Sequence, residues 1–461
     1  MKMKRIAYGL AILSLLACNT VTQMLSPVTV TPLQTTTPAA SLTLTPAPLT
    51  PAYIPPECQS VPLATVPPDQ ALFQPTVTAE PNVEISKSTQ LKVFDDLTST
   101  VDRVYVYPDF NGKDWEEIKA RYRSKIEAGL DTETFYLEMY AMIEELGDEH
   151  SYYISPLGVE ASEAELRGEN NYVGVGIYSL PDEERQVFTV ISTFPGSPAE
   201  YAGIKPHDKI IAVDGIPLEV NENTSNRVRG PQCSAVVLTV QSPGESPRDL
   251  LLVRTAINGS LNIVTQTIPT SDGSKIGYIF IPSFFDETIP PQIEEALNNF
   301  GPLDGLILDL RLNGGGSSSV VDPIFAHFVS GRLGAFVSRD ETRNLDIVSN
   351  PIQNSQTVPL AIIVSEDTVS YGEIFSGVLR DAGRAKIVGE TSLGNVEVLN
   401  GYLFDDGSHV WIAAETFYSA FSDTNWELSG IVPDVTAYAE WDTITYETDP
   451  SIKAAVELLG H

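Results

Sequence analysis

Helical spacing of apolar residues marks the first ordered part of the chain, which is expected to begin near residue 85. The apolar side chains lie three or four positions apart, as on one face of a helix. They are Leu91, Phe94, Leu97, Val101, Val104 and Tyr105. Two more amphipathic helices are predicted from Trp115 and from Thr132, where Asp131 or Thr132 can act as the N-cap, with a stop at Gly147.

Strand patterns replace the helical pattern in the middle of the chain. Short β-branched runs separated by turns cover 172–178, 186–191, 209–216 and 235–240. Beyond residue 262, runs suited to buried strands alternate with helical segments, as in crossover units of an α/β core. The strand runs are 276–281, 305–310, 360–364 and 385–389, and the helical segments are 291–300 and 370–382. The pattern predicts a multi-domain protein with a β part and an α/β part.

The first residues have the pattern of an export signal. Three basic residues within the first five positions precede an apolar run over 6–17, which is too short to span a membrane. The run ends in Leu15-Leu16-Ala17-Cys18, which resembles the lipobox of bacterial lipoproteins. This resemblance implies that residues 1–17 are removed and that Cys18 is lipidated, anchoring an extracytoplasmic protein to a bacterial cell membrane. An ordinary secretory signal with a chance cysteine is the alternative.

Composition changes after the signal. Residues 18–84 are rich in Thr, Pro, Ser and Ala and carry almost no charge. Such a segment cannot bury enough apolar surface to offset the conformational entropy lost on ordering. We therefore predict a disordered tether over 18–84.

The charge balance excludes one class of partner. The 461 residues include 28 Lys and Arg against 61 Asp and Glu, a formal net charge of −33. Because a polyanion repels phosphates, no nucleic-acid partner is expected, and the membrane is contacted through the lipid anchor only. Three cysteines are too few for a disulfide scaffold or a Cys-rich zinc module. Whether Cys58 and Cys233 pair stays open.

Four segments in the β part form a recognisable pattern. They are Tyr172-Val-Gly-Val-Gly-Ile, Gly196-Ser-Pro-Ala-Glu-Tyr-Ala-Gly-Ile, Asp208-Lys-Ile-Ile-Ala-Val-Asp-Gly and Arg229-Gly-Pro. Together they resemble a bacterial PDZ domain over 164–257. His207 and Cys233 depart from that family, which has Gly at the first position and often at the second.

A PDZ domain captures peptide tails: loop amides receive the terminal carboxylate, and the peptide adds a strand to the sheet. The resemblance places this loop at Val173, Gly174, Val175 and Gly176. Glycines allow close approach because they lack Cβ. A β domain whose glycines serve only turns is the alternative.

Three loops follow strands of the predicted α/β core. In such folds, catalytic and binding residues are usually found in the loops at the carboxyl ends of the strands. Residues 309–316 offer several unhindered backbone amides, as an oxyanion site requires. Ser370 lies at a strand-to-helix junction, where helix-start amides favour developing negative charge. The third loop is 389–395. Each alone has an ordinary explanation, since Gly-rich turns are common and a serine at a helix start usually caps it.

The order and spacing of these loops are more specific. From about residue 85 to 438 the chain resembles the C-terminal processing, or tail-specific, serine peptidases. The resemblance implies a ClpP/crotonase-like protease core over 258–461 with an inserted PDZ domain, preceded by an N-terminal helical part of the protease over 85–160. It also places the nucleophile at Ser370. The oxyanion donors would be Gly315 or Gly316 and the Tyr371 amide.

One departure decides the predicted mechanism. Asn395 stands where most members have the lysine that activates the serine, and an amide cannot accept that proton. Tricorn-type relatives use a Ser-His-Glu arrangement instead. Their histidine resembles His150, and their acid falls near Glu427, with Asp423 as a substitute. Lys386 is nearby in sequence but sits in mid-strand, so it is a poor replacement.

These features lead to a serine endopeptidase as the first hypothesis. It would recognise unstructured C-terminal tails of exported proteins through the PDZ domain and cut by an acyl-enzyme route, with no metal and no organic cofactor expected. The second hypothesis is a catalytically inactive adaptor that binds peptide tails, motivated by the missing lysine. A carbohydrate-binding surface protein is a third, supported only by the tether. The sequence does not identify the physiological substrate or the oligomeric state.

Overall fold

The computed structural model describes residues 49–60, 64–65, 84–148, 150–159, 172–182, 184–220, 225–257 and 263–461. The predicted signal peptide, Cys18 and most of the predicted tether lie outside these residues. Within the described ranges, no helix has the length and apolar character that crossing a bilayer requires.

The secondary structure follows the predicted order of helical, β and α/β parts. The α-helices are α1 (Lys87–Val104), α2 (Trp115–Ala128), α3 (Thr132–Glu144), α4 (Pro198–Tyr201), α5 (Ser225–Val228), α6 (Ile289–Phe300), α7 (Ser318–Phe328), α8 (Tyr371–Asp381), α9 (Trp426–Ser429) and α10 (Pro450–Leu459). The strands are β1 (Ala64–Thr65), β2 (Tyr152–Ile154), β3 (Tyr172–Gly174), β4 (Ile177–Asp182), β5 (Val187–Thr193), β6 (Lys209–Val213), β7 (Ile216–Pro217), β8 (Ser234–Gln241), β9 (Arg248–Val253), β10 (Thr255–Ile257), β11 (Val264–Ile268), β12 (Ile276–Phe280), β13 (Gly305–Asp309), β14 (Gly331–Val337), β15 (Thr342–Ile347), β16 (Leu360–Val364), β17 (Lys386–Gly389), β18 (Val398–Leu403), β19 (His409–Ser419) and β20 (Val435–Thr436).

The N-terminal helices form a core of their own. Helices α1 to α3 pack with β19 around buried side chains such as Phe94, Phe135 and Met139. Of the two N-caps considered for α3, Asp131 is the one used, since its carboxylate accepts from the Thr134 amide at 2.9 Å. Strand β2 then pairs antiparallel with β19, in the sheet β15-β14-β19-β18. The chain between α3 and β2, which contains His150, is thereby held against the protease part.

The α/β core is a six-stranded sheet in the order β11-β12-β13-β16-β17-β20. Strands β12, β13, β16, β17 and β20 run parallel, and β11 adds antiparallel at one edge. Every residue of β12, β13 and β16 is buried, which explains their continuous apolar runs. The three loops 309–316, 365–370 and 389–395 leave the carboxyl ends of β13, β16 and β17. The predicted α/β and β multi-domain class is confirmed.

The PDZ part contains the sheet β1-β8-β6-β5-β4, while β3 pairs with β10. The prediction of one strand over 172–178 was wrong, because the chain breaks between β3 and β4. Gly176 has φ of 80° at this break. A Cβ there would lie 2.2 Å from that of Ser197. Glycine is therefore required by packing as well as by the turn.

The two positions that depart from the PDZ family both adopt glycine-like backbone conformations. His207 has φ of 74° and Cys233 has φ of 63°, which disfavours residues with a Cβ. Each is compensated by a contact that glycine cannot make. The His207 ring stacks on Trp441 of the protease core with centroids 4.0 Å apart, and Cys233 is disulfide-bonded. Trp441 also donates from Nε1 to the Val190 carbonyl at 3.0 Å, which ties the PDZ part to the core.

The tether prediction does not hold for residues 49–60, which pack on the PDZ part. Cys58 is buried and forms a disulfide with Cys233, with Cα atoms 5.2 Å apart. Tyr53 stacks on Tyr201 with ring centroids 4.1 Å apart. The composition of residues 49–60 does not predict that they are ordered. A disulfide and a few aromatic contacts can hold a segment in place even when it has no hydrophobic core of its own.

We expect the Cys58–Cys233 bond to stabilise the PDZ part. The bond spans 175 residues, so replacing both cysteines by serine should lower the free energy of unfolding by about 2–4 kcal/mol. It should also expose residues 49–60 to limited proteolysis. Thermal unfolding of the wild type with and without reductant measures the effect, and reductant should not change the double variant. Equal unfolding midpoints in all four samples would contradict the expectation.

Candidate active site

Ser370 lies in a strained turn between β16 and α8. Its backbone has φ of 54° and ψ of −122°, a conformation that non-glycine residues rarely adopt. An ordinary N-cap residue has an extended backbone with negative φ, so capping alone does not explain this geometry. A serine on a sharp strand-to-helix turn has its hydroxyl raised above the sheet, as in the nucleophile elbow of other hydrolases.

Glu373 fixes the turn from inside the protein. This fully buried carboxylate accepts from the Ser370 amide at 3.1 Å. It also accepts from the Ser392 hydroxyl at 2.6 Å and from the amides of Gly394 and Asn395 at 2.7 and 2.8 Å. Burial raises the pKa of Glu373, although these donors act in the opposite direction. The carboxylate joins the loop 389–395 to the Ser370 turn.

The glycine loop 309–316 lies directly beside Ser370. A Cβ on Gly315 would lie 2.7 Å from the Ser370 Cβ, and one on Gly316 would lie 2.0 Å from the Phe284 carbonyl carbon. Both positions therefore require glycine. The Gly315 amide already donates to Asn313 Oδ1 at 2.9 Å, so it is committed within the loop. Of the predicted oxyanion donors, Gly316 and the first amide of α8, Tyr371, are the better candidates.

His150 lies between α3 and β2, at the end of a tightly bonded turn. Asp148 accepts from the amides of His150 and Ser151 at 3.0 and 2.8 Å, and from the Ser151 hydroxyl at 2.6 Å. The same hydroxyl accepts from the Ala413 amide of β19 at 3.0 Å. These bonds set the backbone direction from which the imidazole projects. Asp148 and Ser151 thus have structural roles on either side of His150.

The His150 ring faces two carboxylates. Its Nε2 lies 3.0 Å from Glu397 Oε2 and 3.7 Å from Glu427 Oε1, and its side chain is 5% exposed. Glu427 was predicted from the sequence, whereas Glu397, the nearer of the two, was not. Asp423, the considered substitute, is exposed and lies outside this cluster. Glu397 could have been recognised as a charged residue inside the apolar run Val396-Glu-Val-Leu. A charged side chain in such a run is usually buried only when it has a partner.

Each carboxylate is oriented by a donor on its other oxygen. Glu397 Oε1 accepts from the Tyr107 hydroxyl, and Glu427 Oε2 accepts from the Val396 amide at 2.7 Å. Burial alone would lower the pKa of His150, but the two carboxylates outweigh it and raise that pKa to about 9. Burial raises the pKa of Glu427, and the charge of Glu397 adds to this effect. Despite burial, the pKa of Glu397 is lowered by His150.

One short segment connects Ser370 to this cluster. The Asn395 carbonyl accepts from the Ser370 amide at 2.9 Å, Val396 bonds Glu427, and Glu397 contacts His150. Among the hydrogen bonds of the described residues, none joins the Ser370 hydroxyl to the His150 ring. Lys386 points elsewhere: its side chain is 62% exposed and lies 3.5 Å from Asp434. His150 is therefore the base candidate that shares a bonded segment with Ser370.

The predicted tail-binding loop lies beside an open sheet edge. Val173 and Gly174 pair with β10, and the Val175 and Gly176 carbonyls accept from the amides of Ala199 and Phe194 at 2.9 and 3.0 Å. In the described part of the sheet, the strand that follows this loop, β4, is the terminal strand. An edge strand next to an amide-rich loop is the arrangement that strand addition by a peptide requires.

Comparison with known proteins agrees with the architecture. Peptidase family S41 matches residues 275–437, the tricorn protease C1 domain matches 89–139, and the PDZ domain matches 163–238. A photosystem II D1 C-terminal processing protease has the same fold. At 24% identity and a TM-score of 0.55, it covers 82% of this chain and 98% of its own.

Full-length relatives extend the match. A carboxyl-terminal-processing protease of Picosynechococcus is 30% identical over 376 residues, covering 78% of this chain and 86% of that protein. One from Synechocystis is 27% identical, covering 78% and 84%. The family recognised from the sequence motifs is thus confirmed. The chain belongs to the carboxyl-terminal-processing proteases, PDZ-containing serine peptidases of family S41.

Proposed function

We propose that this chain is an endopeptidase in which Ser370 is the nucleophile and His150 the general base. The observation that carries the proposal is the strained Ser370 turn, bonded through residues 395–397 to a largely buried His-Glu-Glu cluster. A fluorophosphonate probe tests it, because the probe reacts only with an activated serine. Labelling should occur in the wild type and disappear in Ser370→Ala. Wild-type protein that is never labelled would favour the adaptor.

The reaction follows from the chemistry of these groups. His150 takes the Ser370 hydroxyl proton as the oxygen attacks the peptide carbonyl, and returns that proton to the leaving amine. Water then enters by the same route, and hydrolysis of the acyl-enzyme restores the serine. The carboxylates of Glu397 and Glu427 stabilise the imidazolium formed at each attack. The amides of Gly316 and Tyr371 would receive the oxyanion.

No hydrogen bond among the described residues joins the His150 ring to the Ser370 hydroxyl. Proton transfer therefore requires the ring to move closer to that hydroxyl. Catalytic hydrogen bonds are often long or misaligned without substrate and tighten when it binds. Asn395 has no role as a base, because a side-chain amide is too weakly basic to take the serine proton at physiological pH. Its backbone nevertheless holds Ser370 in place.

Substrate recognition is proposed to use the PDZ part. A disordered tail would add to the β4 edge with its terminal carboxylate at the loop 173–176. We further propose an extracytoplasmic location with lipid attached at Cys18. The export pattern of residues 1–17 and the Cys58–Cys233 disulfide support this location, because disulfides persist in oxidising compartments.

A further inference from the structure

The His150 cluster has two features that catalysis by a histidine and one acid does not need. It contains a second carboxylate, and two of its buried atoms lack a hydrogen-bond partner among the described residues: His150 Nε2 and Glu397 Oε2. These atoms are 3.0 Å apart, yet neither is aligned to bond the other. They form an ion pair in which neither atom has an aligned hydrogen bond.

The donor atoms have the type and spacing of a zinc site. One imidazole nitrogen and two carboxylate oxygens lie within 4.8 Å of one another. Tetrahedral zinc with ligand bonds of about 2.0–2.2 Å holds its ligands about 3.3–3.6 Å apart. The distances of 3.0 and 3.7 Å from His150 Nε2 bracket that range.

The surroundings of the cluster also suit a metal site. Metal-binding carboxylates are usually held by a donor on the oxygen that does not bind the ion. Tyr107 does this for Glu397, and the Val396 amide does it for Glu427. The side chains of His150 and Glu397 are 5% and 1% exposed, which separates this cluster from the many acidic groups on the surface.

We propose that His150, Glu397 and Glu427 bind a zinc ion that reversibly inhibits the peptidase. Zinc bound at Nε2 leaves the proton of the neutral ring on Nδ1. Neither ring nitrogen then has a free lone pair for the Ser370 proton, so the metal-bound enzyme has no base. This inference rests on the proposed function, because it assigns regulation to the same side chains. A chelator restores activity by removing the ion.

Direct binding tests the site independently of activity. Purified Ser370→Ala protein is titrated with zinc chloride against a chromophoric chelator, and cobalt chloride provides the visible spectrum of the bound ion. We expect one tight site per chain, and at least a tenfold loss of affinity in Glu397→Gln and Glu427→Gln. The matched control is Asp423→Asn, which removes a nearby exposed carboxylate and should bind zinc as the parent does. Binding unaffected by both glutamate variants, or lost equally in Asp423→Asn, would overturn the proposal.

Inhibition of the wild type separates this inference from the proposed function. Peptide hydrolysis should fall in proportion to zinc occupancy and return on adding chelator. Active enzyme that binds no zinc would refute the inhibitory site and leave the peptidase intact. Zinc bound by a protein without Ser370-dependent hydrolysis would keep the metal site and refute its role as an inhibitor.

Discussion

Replacing Ser370 by alanine should abolish cleavage of a disordered peptide. The variant loses the only atom proposed to bond the substrate carbonyl, so kcat/KM should fall by a factor on the order of 10⁶. Peptide binding by the PDZ part should persist, because β4 and the loop 173–176 do not contact this hydroxyl. The measurement is hydrolysis of a peptide with an unstructured C-terminus, together with binding of the same peptide.

Ser376 provides a matched control in the same helix. Its buried hydroxyl donates to the Gly372 carbonyl at 2.8 Å, and Ser376 lies less than two helical turns beyond Ser370. Ser376→Ala removes a hydroxyl from α8 without touching the proposed chemistry, and should retain hydrolysis within a few-fold. Cleavage that survives in Ser370→Ala would place the nucleophile elsewhere. Equal loss in both variants would indicate damage to the helix rather than removal of a nucleophile.

The sequence was most informative where a local pattern and a buried environment agree. The runs that became β12, β13 and β16 are continuously apolar because both faces of the sheet are covered. Ser370 could be identified because its neighbours, a glycine loop and a strand-to-helix junction, are local features. Its strained backbone supports that assignment and was not visible in the residue types.

Long-range pairing was the part that the sequence could not supply. Glu397 lies 247 positions from His150, and only the folded chain brings the carboxylate to the ring. The same holds for Cys58, whose partner is 175 residues away in a region of different composition. The Gly315 amide was a reasonable oxyanion donor until Asn313 proved to occupy it. These outcomes share a cause: composition and spacing indicate what a residue can do, while side-chain contacts decide which partner it has.

Replacing His150 by glutamine should reduce hydrolysis about as strongly as removing the serine. Residues that act as one catalytic unit show non-additive losses, so His150→Gln and the double variant with Ser370→Ala should have similar residual rates, on the order of 10⁶-fold below wild type. The comparison uses chelator-treated enzyme, so that metal does not affect the rates. A His150→Gln enzyme with full activity would refute the base and leave the serine in place.

The pH profile shows whether the carboxylates act through the ring. The base works only as a neutral imidazole, so activity rises as pH increases through the pKa of His150, which the carboxylates raise to about 9. Glu397→Gln removes one of those charges and keeps the shape of the side chain. The ascending limb of kcat/KM should therefore move to lower pH, although kcat itself falls because the imidazolium is less stabilised.

Two other outcomes would contradict this role of Glu397. If the carboxylate only supported the fold, Glu397→Gln would lower activity at every pH and leave the ascending limb in place. If the limb moved to higher pH, the carboxylates could not be raising the pKa of His150. Asp423→Asn, which removes an exposed carboxylate outside the cluster, should change neither the limb nor kcat.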